Sequence, residues 1–173
     1  MKNIYFIGFM GVGKSTISYR VSRILKKKII DTDRELEKRQ GKAIHEIFTE
    51  KGELYFRKLE SELLREISQQ TDLIISCGGG MILKEENRKL MKDSGIVVLL
   101  TATINTIYRR VALNDRRPLL KGKKTKAHLR AMYSKREPIY KELADIEVSI
   151  NRKTVSMISE EVITKVKEIE NHV

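Results

Sequence analysis

The chain reads as a three-layer α/β/α domain, a parallel sheet of five strands with helices on both faces. Three observations predict it. Short apolar runs alternate with helical stretches along the 173 residues, the pattern of linked βαβ units. The first run, Ile4–Ile7, leads straight into the glycine-rich segment Gly8-Phe9-Met10-Gly11-Val12-Gly13-Lys14-Ser15 and then a helix. The run Ile96-Val97-Val98-Leu99-Leu100 is apolar at every position, as a strand covered on both faces must be.

The elements follow in order. After the first strand and its loop, a helix spans about Ser15 to Leu25. A short strand, Ile29-Ile30, ends at Asp31-Thr32-Asp33. A helix starting near Asp33 stops at Gly41, and a longer one runs from Ile44 to Gln69 with a break near Gly52. Leu59, Leu63, Leu64 and Ile67 fall at helical spacing there. The strand Asp72–Ser76 ends in Gly78-Gly79-Gly80. A helix over Lys84–Lys92 precedes the 96–100 strand, which reads as the central one. A helix over Thr103–Leu113 is followed by a polar, basic loop, Asn114–Lys124. The next helix reaches Lys135, where Arg136-Glu137-Pro138 predicts its end, because proline disfavours helical geometry in the residue before it. Ile146–Ile150 is the last strand. The last helix, Thr154–Glu170, places Val155, Ile158, Val162, Val166 and Ile169 on one face.

Length and composition bound the function. A chain of 173 residues with no repeat or linker is a single domain, 1–173. No stretch approaches the ~18 apolar residues that a membrane span needs, so no membrane partner is expected. Met1-Lys2-Asn3 enters the first strand without a leader, and the one cysteine, Cys77, lies in an apolar strand as a structural thiol. These features predict a cytoplasmic protein. The net charge of +12 raises nucleic-acid binding as a competing class. Aromatic residues are only 6% with no tryptophan, so base-stacking platforms are poorly supplied and no nucleic-acid partner is expected.

The glycine-rich segment has the spacing G-x-x-x-x-G-K-S of a phosphate-binding P-loop. Its backbone N–H groups, from Gly11, Val12 and Gly13 through Lys14, Ser15 and Thr16, can cradle a phosphate chain at a helix N-terminus. Lys14 would reach the β- and γ-phosphates, and the Ser15 hydroxyl would ligate Mg²⁺. Ligands of open α/β sheets bind at the carboxyl ends of the strands, where Asp31 and Asp33 also lie. In extended backbone the two carboxylates point the same way. If Asp33 opens a helix they separate, leaving Asp31 for the metal, through water, and Asp33 for an attacking hydroxyl. Asp33 also reads as a plain helix N-cap. The strand that should supply a second metal-binding acid ends in Ser76 instead, and no guanine-recognition motif is present, which favours ATP.

Other candidates stay open on spacing alone. Three successive glycines are either a flexible turn or a place where backbone must approach a ligand closely. Arg57 is either a solvated helical residue or, with Arg136, a guanidinium fork for a carboxylate. The basic segment with Arg109, Arg110, Arg116, Arg117, Lys121, Lys123 and Lys124 is either a solvated charge run or a lid over ATP, with Arg117 beside Pro118 its strongest contributor.

Taken together, these residues resemble the shikimate kinase family. The resemblance covers nearly the whole chain in order: Gly8–Ser15, Asp31-Thr32-Asp33, Gly52-Glu53 with Phe56-Arg57 and Glu60, Gly78-Gly79-Gly80, Arg117-Pro118-Leu119-Leu120 and Arg136-x-Pro138-x-Tyr140. It implies ATP-dependent phosphorylation of the 3-hydroxyl of shikimate, on the route to chorismate and aromatic amino acids. It implies Mg²⁺ at Ser15 and Asp31, and ATP as co-substrate. By the same resemblance Asp33, Arg57, Gly79, Gly80 and Arg136 contact shikimate, with Glu60 supporting Arg57. Arg117 reaches the phosphates from a lid at about 112–124, and Arg110 stacks on adenine. The implied fold is the nucleoside-monophosphate-kinase type, strand order 2-3-1-4-5, with an acceptor-binding helical segment at about 33–62 in a monomer. A related P-loop kinase for gluconate or a nucleoside monophosphate is the alternative enzyme.

Overall fold

The computed structural model describes residues 2–112 and 125–171. Strands β1 (Asn3–Ile7), β2 (Lys28–Asp31), β3 (Leu73–Ser76), β4 (Gly95–Thr101) and β5 (Ile146–Ser149) form one sheet in the order β2-β3-β1-β4-β5. Every pairing is parallel. Helices α1 (Lys14–Leu25), α2 (Thr32–Gln40), α3 (Ile44–Ser68), α4 (Glu85–Ser94), α5 (Ile104–Ala112), α6 (Lys126–Leu143) and α7 (Val155–Asn171) flank it. α1 packs on α7, α3 on α2 and α4, and α5 on α6. The expected five-stranded architecture and its order are therefore present. The predicted loop at 114–124 and its arginines, Arg117 included, lie outside the described residues.

β1 is the middle strand, with Tyr5 paired to both Ile75 and Val97. This corrects the expectation that 96–100 is central. β4 lies one place off-centre, but it is paired on both sides, to β1 and β5, and six of its seven residues are buried. An interior position, rather than the exact centre, is what an apolar run reports. β1 places the P-loop midway across the sheet, and β2 and β3 bring Asp31 and Ser76 to the same edge in register.

Two helix boundaries and one buried face depart from expectation. α2 begins at Thr32, and its N-cap is Asp31, still extended at φ −94°, ψ 115°, whose Oδ1 accepts the Arg34 N–H at 3.3 Å. The capping alternative for Asp33 is thereby overturned: Asp33 stands inside the first turn. α6 continues through Pro138 to Leu143. Proline removes one N–H and crowds the carbonyl four residues back, here that of Ser134. Ser134 and Pro138 are both exposed, so water can take over that carbonyl, while burial of Tyr140 and Leu143 beyond the proline offsets the loss. In α7 the buried set is Ile158, Ser159, Val162, Ile163 and Val166, with Val155 left exposed at the first turn. The break expected in the long helix is real. Gly52 has φ 79°, ψ 171° inside α3, a backbone conformation that L side chains rarely adopt.

Candidate active site

The carboxyl ends of β1, β2 and β3 bring together two clusters that share the P-loop. In the first, the Ser15 hydroxyl donates to Asp31 Oδ2 at 2.6 Å and lies 3.3 Å from Ser76 Oγ. Lys14 Nζ folds over the loop and donates to the Gly8 carbonyl at 2.8 Å and the Phe9 carbonyl at 3.2 Å. Gly13, left-handed at φ 89°, turns the chain into α1, which starts at Lys14. The sequence thus forms a glycine-turned loop with a cation folded over it and three side-chain oxygens, from Ser15, Asp31 and Ser76, gathered beside it. Arg110, reaching across from α5, donates to the Gly11 carbonyl at 3.2 Å.

The second cluster surrounds the triple glycine. Arg57 is 8% exposed and lies on α3 beyond the Gly52 break. Its Nη1 donates to Glu60 Oε2 at 2.6 Å, and its Nη2 and Nε donate to Glu53 Oε1 at 3.0 and 3.3 Å. The reading of Arg57 as a solvated helical residue is therefore overturned. Burial works against its charge, but Glu60 and Glu53 outweigh that and hold the guanidinium pKa above its ordinary value. Asp33 Oδ1 and Glu60 Oε1 lie 2.7 and 2.9 Å from where a Cβ on Gly78 would stand, and a Cβ on Gly80 would land on the Arg57 guanidinium. At Gly78 and Gly80 side chains fill the space that a Cβ would need, whereas a Cβ on Gly79 would meet only ordinary contacts. The Gly78 N–H is tied to Thr32 Oγ1 at 2.9 Å. From α6, Tyr140 donates to the Gly79 carbonyl at 2.6 Å, and Arg136 Nη1 reaches the same oxygen at 3.4 Å. The Arg136 guanidinium also sits over the Phe9 ring, which meets Tyr133 edge-on with ring centroids 5.4 Å apart.

Asp31 and Asp33 are thus parted by the strand-to-helix transition between them, Asp31 on Ser15 and Asp33 beside Gly78 and Glu60. The structure places Gly79, Gly80, Arg57, Arg136 and Asp33 around one crevice and the P-loop residues around the adjoining one. Ser76, Glu53, Phe9, Tyr133 and Tyr140 carry no assigned part in the sequence reading. Ser76 was legible as the residue standing where a metal-binding acid is missing, and Glu53 and Tyr140 as members of the ordered motifs. Nothing in the spacing marks Tyr133. Cys77 is buried, and burial pushes its thiol well above the ordinary range.

Glu60 is a strongly perturbed carboxyl of the crevice. Burial pushes its pKa up to about 7 from 4.5, against the pull of Arg57, and the neighbouring Asp33 pushes the same way. Its Oε1 is buried without a hydrogen-bond partner. A carboxyl whose pKa is higher folded than unfolded stabilises the protein fully below 4.5, and that contribution is lost as pH rises through about 7. Wild-type Tm is therefore expected to fall across this window, relative to Glu60→Gln, which cannot titrate. Parallel Tm curves from pH 4.5 to 8 would refute the shift.

A family model described as "Shikimate kinase" matches residues 10–167. A shikimate kinase of Sulfurihydrogenibium sp. (strain YO3AOP1) is 41% identical over 167 residues, covering 96% of this chain and 99% of the relative. Among solved structures, shikimate kinase from Acinetobacter baumannii in complex with shikimate superposes with a TM-score of 0.93 at 30% identity, covering 97% of this chain and 94% of the other. Shikimate kinase from Aquifex aeolicus superposes with a TM-score of 0.84 at 36% identity, covering 95% and 96%.

Proposed function

The chain belongs to the shikimate kinase family and phosphorylates shikimate with ATP, and we propose how its own residues divide that reaction. Lys14 and the N–H groups of Gly11 to Thr16 hold the β- and γ-phosphates. Arg110 flanks the adenine; Arg117, expected to contact the phosphates, lies outside the described residues. Arg57 and Arg136 take the acceptor's carboxylate, and the backbone of Gly79 and Gly80 approaches its ring. Asp33 accepts the proton of the 3-hydroxyl as that oxygen bonds to the γ-phosphorus. The bond to the β,γ-bridging oxygen breaks and ADP leaves.

The hydroxyls of Ser15 and Ser76 and the carboxylate of Asp31 are hard oxygen donors gathered at one point, the chemistry that suits Mg²⁺ with its retained waters. Bound there, Mg²⁺ would neutralise charge on the phosphate oxygens. The protein acts as a cytoplasmic monomer, with residues 33–62 as its acceptor-binding segment and no nucleic-acid or membrane partner. Among the described residues no helix is long and apolar enough to cross a membrane.

The observation that carries this reading is the packing of Asp33, Glu60 and Arg57 onto the triple glycine beside the P-loop. Gly80→Ala tests it. The added methyl lands on a guanidinium pinned by Glu60 and Glu53, which cannot swing aside without breaking those bonds. Misplacing a substrate-holding group by about 1 Å costs about 10²-fold. The KM for shikimate is expected to rise by that order with ATP binding unchanged. An unaltered shikimate KM would remove Arg57 and Gly80 from the acceptor site.

A further inference from the structure

We propose that Tyr140 is a positioning residue for this reaction: its hydroxyl holds the Gly79 carbonyl, which fixes the heading of the Gly80 N–H and lets Arg136 turn to the acceptor without leaving that carbonyl unsatisfied. The inference rests on the reading above that Gly80 and Arg136 hold the acceptor.

Two donors converge on one oxygen. Tyr140 reaches the Gly79 carbonyl at 2.6 Å and Arg136 Nη1 at 3.4 Å. They are neighbours because residues four apart share a helix face, and because α6 continues unbroken through Pro138. The distances rank them. The tyrosine makes the short bond, and the arginine makes one at the outer limit of hydrogen-bond length.

Two consequences follow. The first concerns the backbone. The Gly79 C=O and the Gly80 N–H belong to one planar, trans peptide unit, so they point in opposite directions. Holding the carbonyl therefore sets where the N–H points, at a residue pair with no side chain to set it otherwise. Among the described residues no backbone carbonyl takes the Gly79 or Gly80 N–H. A hydrogen bond on the carbonyl also polarises the peptide and strengthens its N–H as a donor.

The second concerns Arg136. When a carboxylate draws Arg136 away, the Gly79 carbonyl keeps its tyrosine bond and is not left unsatisfied. Without the hydroxyl, Arg136 is the sole donor to that oxygen among the described residues, and an incoming carboxylate must compete with it. Tyr140 is suited to a permanent donor's part. It is 1% exposed, and burial pushes its phenol up to about 12, so the proton stays in place at any working pH.

Tyr140→Phe removes one oxygen and leaves the packed ring. Losing a neutral hydrogen bond corresponds to about fivefold in binding. The KM for shikimate is expected to rise about fivefold to tenfold, with the KM for ATP unchanged. The Gly80 amide ¹⁵N resonance of the ligand-free protein should move, because it reports the hydrogen bond on the preceding carbonyl. Arg136→Met is measured in parallel. A raised shikimate KM in Arg136→Met but not in Tyr140→Phe overturns the role of Tyr140 and leaves the site standing. An unchanged shikimate KM in Arg136→Met overturns the site reading itself. Equal rises in both KM values with a lowered Tm in Tyr140→Phe would make the hydroxyl a structural bond only, and would also overturn the proposal.

Discussion

Lys14→Ala is expected to lower kcat by about 10³-fold while the far-ultraviolet circular dichroism spectrum stays that of the wild type. The ammonium stands in the mouth of the P-loop, donating to the Gly8 and Phe9 carbonyls. These two oxygens hold the cation over the loop, ready for the oxygens of a phosphate chain. The fold does not need it: the loop is kept by backbone geometry, by the left-handed Gly13 and by the first turn of α1, where Ile17 N–H meets the Gly13 carbonyl at 3.0 Å. Lys14 is partly exposed, so water can satisfy the two carbonyls in its absence. The charge that builds on the transferred phosphoryl has no such substitute, because a preorganised cation in a closed site is worth far more there than water. A kcat within tenfold of wild type would mean that the lysine serves the loop and not the transfer.

How much of this was legible in the sequence depends on how local each signal is. The P-loop is contiguous, and every part of its chemistry lies within eight residues, so spacing alone places Lys14 and Ser15. The sheet was legible because each strand carries its own apolar run and each crossover its own helix. Pro138 misled the reading: local propensity ends a helix there, and only the burial of Tyr140 and Leu143 beyond it overrides that preference. The N-cap alternative for Asp33 stayed open on sequence alone, since the choice between Asp31 and Asp33 turns on where β2 stops, and its last pair, Asp31 with Ser76, is a long-range fact. The crevice was the least legible part. Arg57 and Glu60 are three residues apart and readable as a pair, but their meeting with Gly78 and Gly80 joins α3 to the turn after β3 and has no counterpart in spacing. The partnership of Tyr140 with Gly79, 61 residues apart, is of the same kind.

Asp33→Asn is expected to lower kcat by about 10³-fold, within the 10²–10⁴ that a positioned base contributes. The amide keeps the shape and one acceptor oxygen, so the hydroxyl of the acceptor can still be held, and the KM for shikimate should change far less than kcat. The loose transition state of phosphoryl transfer asks little of a base early on. The proton must nevertheless leave the attacking oxygen before product is complete, and a neutral amide cannot take it. A loss of less than about tenfold in kcat would make Asp33 a positioning group. A second readout is independent of turnover. Asp33 contributes to the raised pKa of Glu60 through its charge, and the substitution removes that charge. Ionised Glu60 is then less disfavoured and its folded pKa falls, so the loss of stability with rising pH, which starts near 4.5 in both proteins, should end at lower pH and be smaller than in the wild type. If the Tm profile moves while kcat does not, Asp33 lies beside Glu60 as described but takes no proton. If neither moves, the carboxylate at the first turn of α2 faces elsewhere, and the acceptor crevice must be redrawn without it.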